Sequence, residues 1–228
     1  MTLSFDNPPS ILRFDNGDRQ LIMRPARVAD AAEIVAALKE SETELRGFMQ
    51  WVFVPQTVEL QRKRLGATEK GFGKGGDIIL HLYEREDGPL LGTIGLHRGR
   101  MFNRLGFEIG FWMRSNAAGR GWMTLAVQCV VVLAFECMGL ERVQCGYNEA
   151  NAASQRVSEK VGFSVEGRLR NFENTPTQNM RDGGCEMIEH LVRTALCPSD
   201  RARLDWYPQI AASLRVFDGK QRCIWPTS

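Results

Sequence analysis

The stretch that decides the fold reads Phe107-Glu-Ile-Gly-Phe-Trp-Met113, then Arg114-Ser-Asn-Ala-Ala-Gly-Arg-Gly121, then Trp122-Met-Thr-Leu-Ala-Val-Gln-Cys-Val-Val-Val-Leu-Ala-Phe135. Its first part is rich in aromatic and β-favouring residues and reads as a strand. Its last part is apolar on nearly every face and meets no Gly or Pro before Gly139. That length favours a buried helix over a strand. Ala118-Gly-Arg-Gly121 joins the two. A Gly-rich turn that opens directly into a helix presents unpaired backbone N–H groups at the positive end of the helix dipole, which is a way to bind phosphate. Gly-x-Gly alone also marks ordinary turns, so the competing phosphate motifs have to be tested. A P-loop needs Gly-Lys-Ser/Thr after its glycines, and this chain has Gly121-Trp122-Met123. A dinucleotide fingerprint needs a third small residue and a later acid, and the third glycine is missing. What remains is a pyrophosphate turn that follows a strand with its own part to play.

Working outward, 228 residues can bury a full core, and one domain with trimmings is the natural count. The net charge of +2 and the lack of a basic run argue against a nucleic-acid groove. No apolar stretch approaches a membrane span. The N-terminus does not have the pattern of a secretory signal. The six cysteines are scattered without metal-type spacing, so reduced thiols in a cytoplasmic protein, with no metal site, are expected.

Residues 1–18 carry Pro, Asn, Asp and Gly with little periodicity and read as an arm. Residues 19–25 form a short strand. Asp30 can cap a helix reaching about Leu45. An aromatic connector over 47–55 leads to a second helix over 57–68. Strands over 77–83 and 90–97 flank a hairpin connection. After the buried helix, which Gly139 stops, come a strand over 142–147 and a helix over 151–161. Final strands over 163–172 and 185–192 are joined by a polar loop. A helix-like tail occupies 199–228. The order is β-α-α-β-β-β-α-β-α-β-β, a mixed α/β (α+β) fold around one sheet of about seven strands with flanking helices.

In these residues the chain resembles the GNAT superfamily of N-acetyltransferases, and within it the RimJ/RimL-type enzymes that acetylate protein N-termini. The resemblance is carried by Leu21-Ile-Met-Arg-Pro25, Trp51, Gly110-Phe-Trp-Met113, Gly119-Arg-Gly-Trp-Met-Thr124, Asn151-Ala-Ala-Ser154, Lys160-Val-Gly-Phe-Ser-Val-Glu-Gly-Arg-Leu-Arg170 and Arg181-Asp182. It covers roughly residues 19–195, with 1–18 as the arm and 196–228 as a partly helical extension. One position departs: the superfamily often has Gln or Arg three residues before the first Gly, where this chain has Asn116.

The resemblance implies a mostly antiparallel sheet in which the strand over 107–113 and that over 142–147 splay apart. It implies acetyl-CoA as co-substrate and a primary amine as acceptor, first of all a protein N-terminus, with direct attack in a ternary complex. Ala118, Gly119, Arg120, Gly121, Trp122, Met123 and Thr124 would take the pyrophosphate. Phe111, Trp112 and Met113 would pair with the amide-bearing arm, and a backbone N–H there would polarise the thioester carbonyl. Asn151 would contact the cofactor, although a helix cap is an equal reading. Ser154 would be the acid at sulfur, and Glu173 the base toward the amine. Glu108 is the second choice, as base or substrate contact. Trp51 and Trp112 would wall the acceptor slot, with core packing as the alternative. The three histidines show no partner spacing, and His81 and His97 read as strand residues. A homodimer fits the resemblance. Acetylation of a small amine such as an antibiotic or polyamine, or non-catalytic acyl-CoA binding, stays open.

Overall fold

The computed structural model describes residues 3–98 and 105–226. Strands β1 (Ile11–Asp15) and β2 (Gln20–Pro25) come first, followed by helices α1 (Ala31–Glu40), α2 (Glu42–Phe48) and α3 (Val58–Gly71). Then come β3 (Ile78–Tyr83), β4 (Leu90–His97), β5 (Gly106–Met113), α4 (Trp122–Val132), β6 (Arg142–Asn148), α5 (Ala152–Val161) and β7 (Ser164–Leu169). The chain closes with α6 (Gln178–Asp182), β8 (Leu191–Leu196), α7 (Tyr207–Ser213), β9 (Leu214–Phe217) and β10 (Cys223–Trp225). All strands join one ten-stranded sheet in the order β10-β9-β1-β2-β3-β4-β5-β6-β8-β7. Every neighbouring pair is antiparallel except β5–β6.

The sheet is covered on both faces. Helix α4 is apolar on nearly every face because it is buried on nearly every face: Ala126, Val127, Cys129, Val130, Val131 and Val132 have no exposure. It packs on Ile94, Leu96, Phe107 and Ile109 of the central strands. The other face is covered by α1, whose Ile34, Ala37 and Leu38 meet Tyr83 and Leu90.

The sequence expectation is met in outline and revised in detail. The expected helix over 30–45 is two helices, broken at Ser41, where the backbone leaves helical geometry (φ −105°, ψ 11°). The fully buried Ser41 Oγ accepts the Ser115 N–H at 2.9 Å, a contact that outweighs helix continuity. The buried helix expected to run until Gly139 stops it changes to π geometry over Leu133–Cys137. The last strand lies at Leu191–Leu196 rather than over 185–192. Residues just before it are fastened by a side chain instead of a ladder: Asn148 Nδ2 donates to the Ile188 carbonyl at 2.6 Å, and its Oδ1 accepts the Ile188 N–H at 3.2 Å. Residues 1–18, read as an arm, contain β1, and the tail supplies β9 and β10.

Candidate active site

The only parallel seam described is also an incomplete one. β5 and β6 pair from Gly106↔Arg142 to Ile109↔Cys145 and no further. Beyond that point β5 continues along β4 to Met113, and β6 continues along β8 to Asn148. A gap therefore opens between residues 110–113 and 146–148, the splay that the resemblance implied. The Arg114 N–H donates to the Leu91 carbonyl at 2.8 Å, so even-numbered β5 residues turn their N–H toward β4. By strand alternation the N–H groups of Phe111 and Met113 face the gap.

Past the end of β5 the chain enters the glycine turn that leads into α4. Gly119 and Gly121 have φ of +73° and +80°, in the left-handed region that a side chain resists. Gly121 is the N-cap of α4, and its carbonyl accepts the Leu125 N–H at 3.1 Å. The first-turn N–H groups after it have no acceptor within the helix and point outward at its positive end. Ala118, Gly119, Arg120 and Gly121 are exposed, and Thr124 is half-buried. Trp122 and Met123 are 3% and 5% exposed, so only their backbone is available to a ligand. Arg19 holds the turn from outside. Its guanidinium lies 4.0 Å over the Trp122 ring, and its Nη2 donates to the Arg120 carbonyl at 3.1 Å. A hollow of about 280 Å³ beside the turn is lined by Gly121, Thr124, Arg19 and Lys160 among others. A donor-rich turn with two nearby cations fits a pyrophosphate.

A second cavity, of about 510 Å³, opens at the gap and brings together Trp51, Glu108, Phe111, Trp112, Asn151, Ser154 and Glu173. Glu108, at 9% exposure, accepts from Gln144 Nε2 at 2.8 Å on the neighbouring strand. Asn151 caps α5, its Oδ1 accepting the Ser154 N–H at 3.0 Å, and it lines the cavity as well. Glu173 is half-buried, and its N–H donates to the Glu189 carbonyl at 3.1 Å. Gln50 Nε2 donates to the Asn174 carbonyl at 2.9 Å, which ties this loop to the segment bearing Trp51. Cys145 sits at the apex of the gap, where burial pushes its thiol up to about 12, with the Glu108 charge adding to the effect. A thiol held there is protonated near neutrality and is no nucleophile.

The comparisons with known proteins agree with this geometry. A family model described as the acetyltransferase (GNAT) domain matches residues 20–164. The chain belongs to the GNAT acetyltransferase family. Probable N-acetyltransferase YjcK of Bacillus subtilis (strain 168) is 31% identical over 186 residues, 80% of this chain and 97% of the relative. Mycobacterium smegmatis RimJ, solved in complex with CoA-disulfide, has a TM-score of 0.71 at 19% identity, covering 90% of this chain and 95% of RimJ. RimL, a ribosomal L7/L12 α-N-protein acetyltransferase solved in complex with coenzyme A, has a TM-score of 0.69 at 14% identity, covering 81% of this chain and 97% of RimL. At such identities the two structures establish a shared fold.

In this GNAT acetyltransferase the structure adds residues that sequence reasoning passed over. Arg19 lies just before β2, and nothing local links it to a turn a hundred residues away. Tyr147 and His97 also line the large cavity. His97 has a partner after all: its Nδ1 lies 2.7 Å from Asp77 Oδ2. The signal was present in the hairpin, since pairing Ile78 with Leu96 brings the next residues outward, Asp77 and His97, face to face. Among the described residues no group of three or more His, Cys, Asp or Glu could hold a metal, and no helix is long and apolar enough to cross a membrane.

Proposed function

We propose that this acetyltransferase moves an acetyl group from acetyl-CoA directly to the α-amine of a protein N-terminus. The observation that carries the reading is the gap between β5 and β6, where a cavity brings together Ser154, Glu108 and Glu173 beside the strand that leads into the glycine turn. On this reading the N–H groups of residues 118–124 hold the pyrophosphate, with Thr124 adding its hydroxyl. Phe111 and Met113 offer their N–H groups to the amide arm and to the thioester oxygen, where negative charge develops during attack. Asn151 steadies the arm, and Ser154 gives a proton to the leaving thiolate. Glu173 faces the amine as proton acceptor, with Glu108 next to it as a contact for the substrate's positive charge. Trp51 and Trp112 wall the slot. The protonated Cys145 thiol supports direct transfer over an acyl-cysteine route. The catalytic unit is residues 19–195, working in the cytoplasm.

The acceptor class rests on chemistry and on the names of the fold's neighbours. An α-amine has pKa ~7.7–8.0 and a Lys side chain ~10.4, so at neutral pH an α-amine needs far less help to lose its proton. Carboxylates suit that lighter task. The test is turnover with acetyl-CoA on matched peptides, one with a free N-terminus and no Lys, one N-terminally blocked with a single Lys, beside a polyamine. The free N-terminus should be acetylated fastest. Faster reaction of the blocked peptide or the polyamine would replace the acceptor assignment.

A further inference from the structure

The floor of the large cavity is made unusually flat by two facing glycines. Gly95 of β4 and Gly110 of β5 are register partners on the face that carries Glu108 and Trp112. A Cβ built at Gly95 would stand 2.5 Å from His97 Nε2, and one built at Gly110 would stand 3.3 Å from it. The imidazole therefore lies down over both glycines, in the space their missing side chains leave. Gly110 is also the first β5 residue beyond the last β5–β6 pair, so Nε2 is placed at the mouth of the splay. The ring is held there by Asp77, whose Oδ2 is 2.7 Å from Nδ1 and whose Oδ1 accepts the Arg98 N–H at 3.2 Å. A carboxylate can only accept, so Nδ1 carries the proton, and Nε2 of the neutral ring presents a lone pair to the cavity.

We infer that His97 is a further catalytic residue, the inner proton acceptor for the attacking amine, with Asp77 as its positioning residue. The inference deepens the acyl-transfer reading and rests on it. As the amine nitrogen forms its bond to the acetyl carbon and the C–S bond breaks, Nε2 takes the proton that nitrogen sheds. The thiolate leaves with the proton that Ser154 supplies, and the imidazolium returns its proton to solvent or to Ser154. Glu173, on the loop over the cavity, meets the amine first and hands it to the inner site. Among the described residues, the charged and titratable groups around the ring are Asp77 and Arg98 at the β3–β4 end, Glu108 opposite on β5, Tyr147 on β6, and Glu173 from the loop.

Two measurements decide it. In ¹⁵N spectra of histidine-labelled free enzyme, with the His97 signals assigned through His97→Gln, the neutral ring should be the Nδ1–H tautomer. An Nε2–H tautomer would overturn the inference without reference to activity. In turnover on an N-terminal peptide, His97→Gln and His97→Ala should each lower kcat ~10²-fold or more, with acetyl-CoA affinity unchanged. Added imidazole should restore His97→Ala in proportion to its concentration. Asp77→Asn should lower kcat less and let the Nε2–H tautomer appear in the ¹⁵N spectra, because the ring loses the carboxylate that holds the Nδ1 proton. Parent-like kcat in His97→Gln, or no response of His97→Ala to imidazole, would overturn it. A parent enzyme that binds acetyl-CoA yet acetylates none of the amines overturns the proposed function, while the tautomer measurement still stands on its own.

Discussion

The Asp30 carboxylate is only 8% exposed, yet donors surround it: Arg24 Nη2 and Nη1 at 2.8 and 2.9 Å, the Arg27 N–H at 2.8 Å, and His81 Nδ1 at 2.9 Å. Burial alone would push its pKa up. The hydrogen bonds from His81, Arg24 and the Arg27 N–H outweigh burial and hold the carboxyl well below the usual range. A folded-state pKa below the unfolded value of ~3.9 contributes stability that is complete above that pH and is lost as pH falls toward the folded pKa. Thermal denaturation should thus show a melting temperature that declines below about pH 4. Asp30→Asn should flatten part of that decline, and at neutral pH it should cost ~3–5 kcal/mol, because Arg24 and His81 lose a buried partner. An Asn variant with the parent's acid slope would assign the slope to other carboxylates. None of this was legible from the sequence, where Asp30 read only as a helix cap. The network joins residues 24, 30, 81 and 83, and only the β2–β3 register brings them together. His97 was missed although the β3–β4 hairpin register that sets it opposite Asp77 was open to inference. Ser154 and Glu173 were named, by contrast, through the family resemblance, and both line the large cavity.

At the scale of elements, the join of β5 to α4 was the most legible part of the chain. A β-favouring run, a glycine turn and a long apolar run are all local signals, and the structure needs each where it stands. Gly121 is the sharpest case, at φ +80° with an added Cβ only 3.4 Å from Arg19 Nη1. Gly121→Val should cost ~1–2 kcal/mol for the left-handed backbone, more if the turn cannot relax. Its greater effect should be on the ligand, since the strained turn and displaced Arg19 misdirect the N–H groups of the first helical turn. Calorimetry should show acetyl-CoA affinity reduced at least tenfold. Unchanged affinity would remove the pyrophosphate from this turn. The break between α1 and α2 was not legible, because Ser41 serves a partner on the loop after β5, 74 residues away.

For the whole molecule, the two ends of the described chain meet in the sheet. β1 lies between β2 and β9, with Leu12 facing Val216 and Phe14 facing Leu214. Leu214 and Val216 have no exposure. A chain ending at Ser213 should lose roughly 3–6 kcal/mol, at ~1.5–3 kcal/mol for each of these two side chains, and melt at lower temperature. Acetyl transfer in the cold at saturating acetyl-CoA should survive, because β2, β3 and β4 stand between β1 and the gap, while acetyl-CoA affinity should weaken, because Phe14 of β1 lines the hollow beside the glycine turn. Loss of transfer with the fold intact would tie the tail to catalysis. The sequence did not reveal this closure, since Ile11-Leu-Arg-Phe-Asp15, with only Leu12 and Phe14 in alternation, is too short a pattern to distinguish a strand from an arm. The pairing has a consequence for how the protein is made. Ser10 donates to the carbonyl of Phe217, 207 residues further on. At ~5–20 residues per second the ribosome takes ~10–40 s to cover that interval. For that time the outer edge of β1 has no strand to pair with, and a nascent chain stalled short of β9 would offer it to whatever extended segment arrives first.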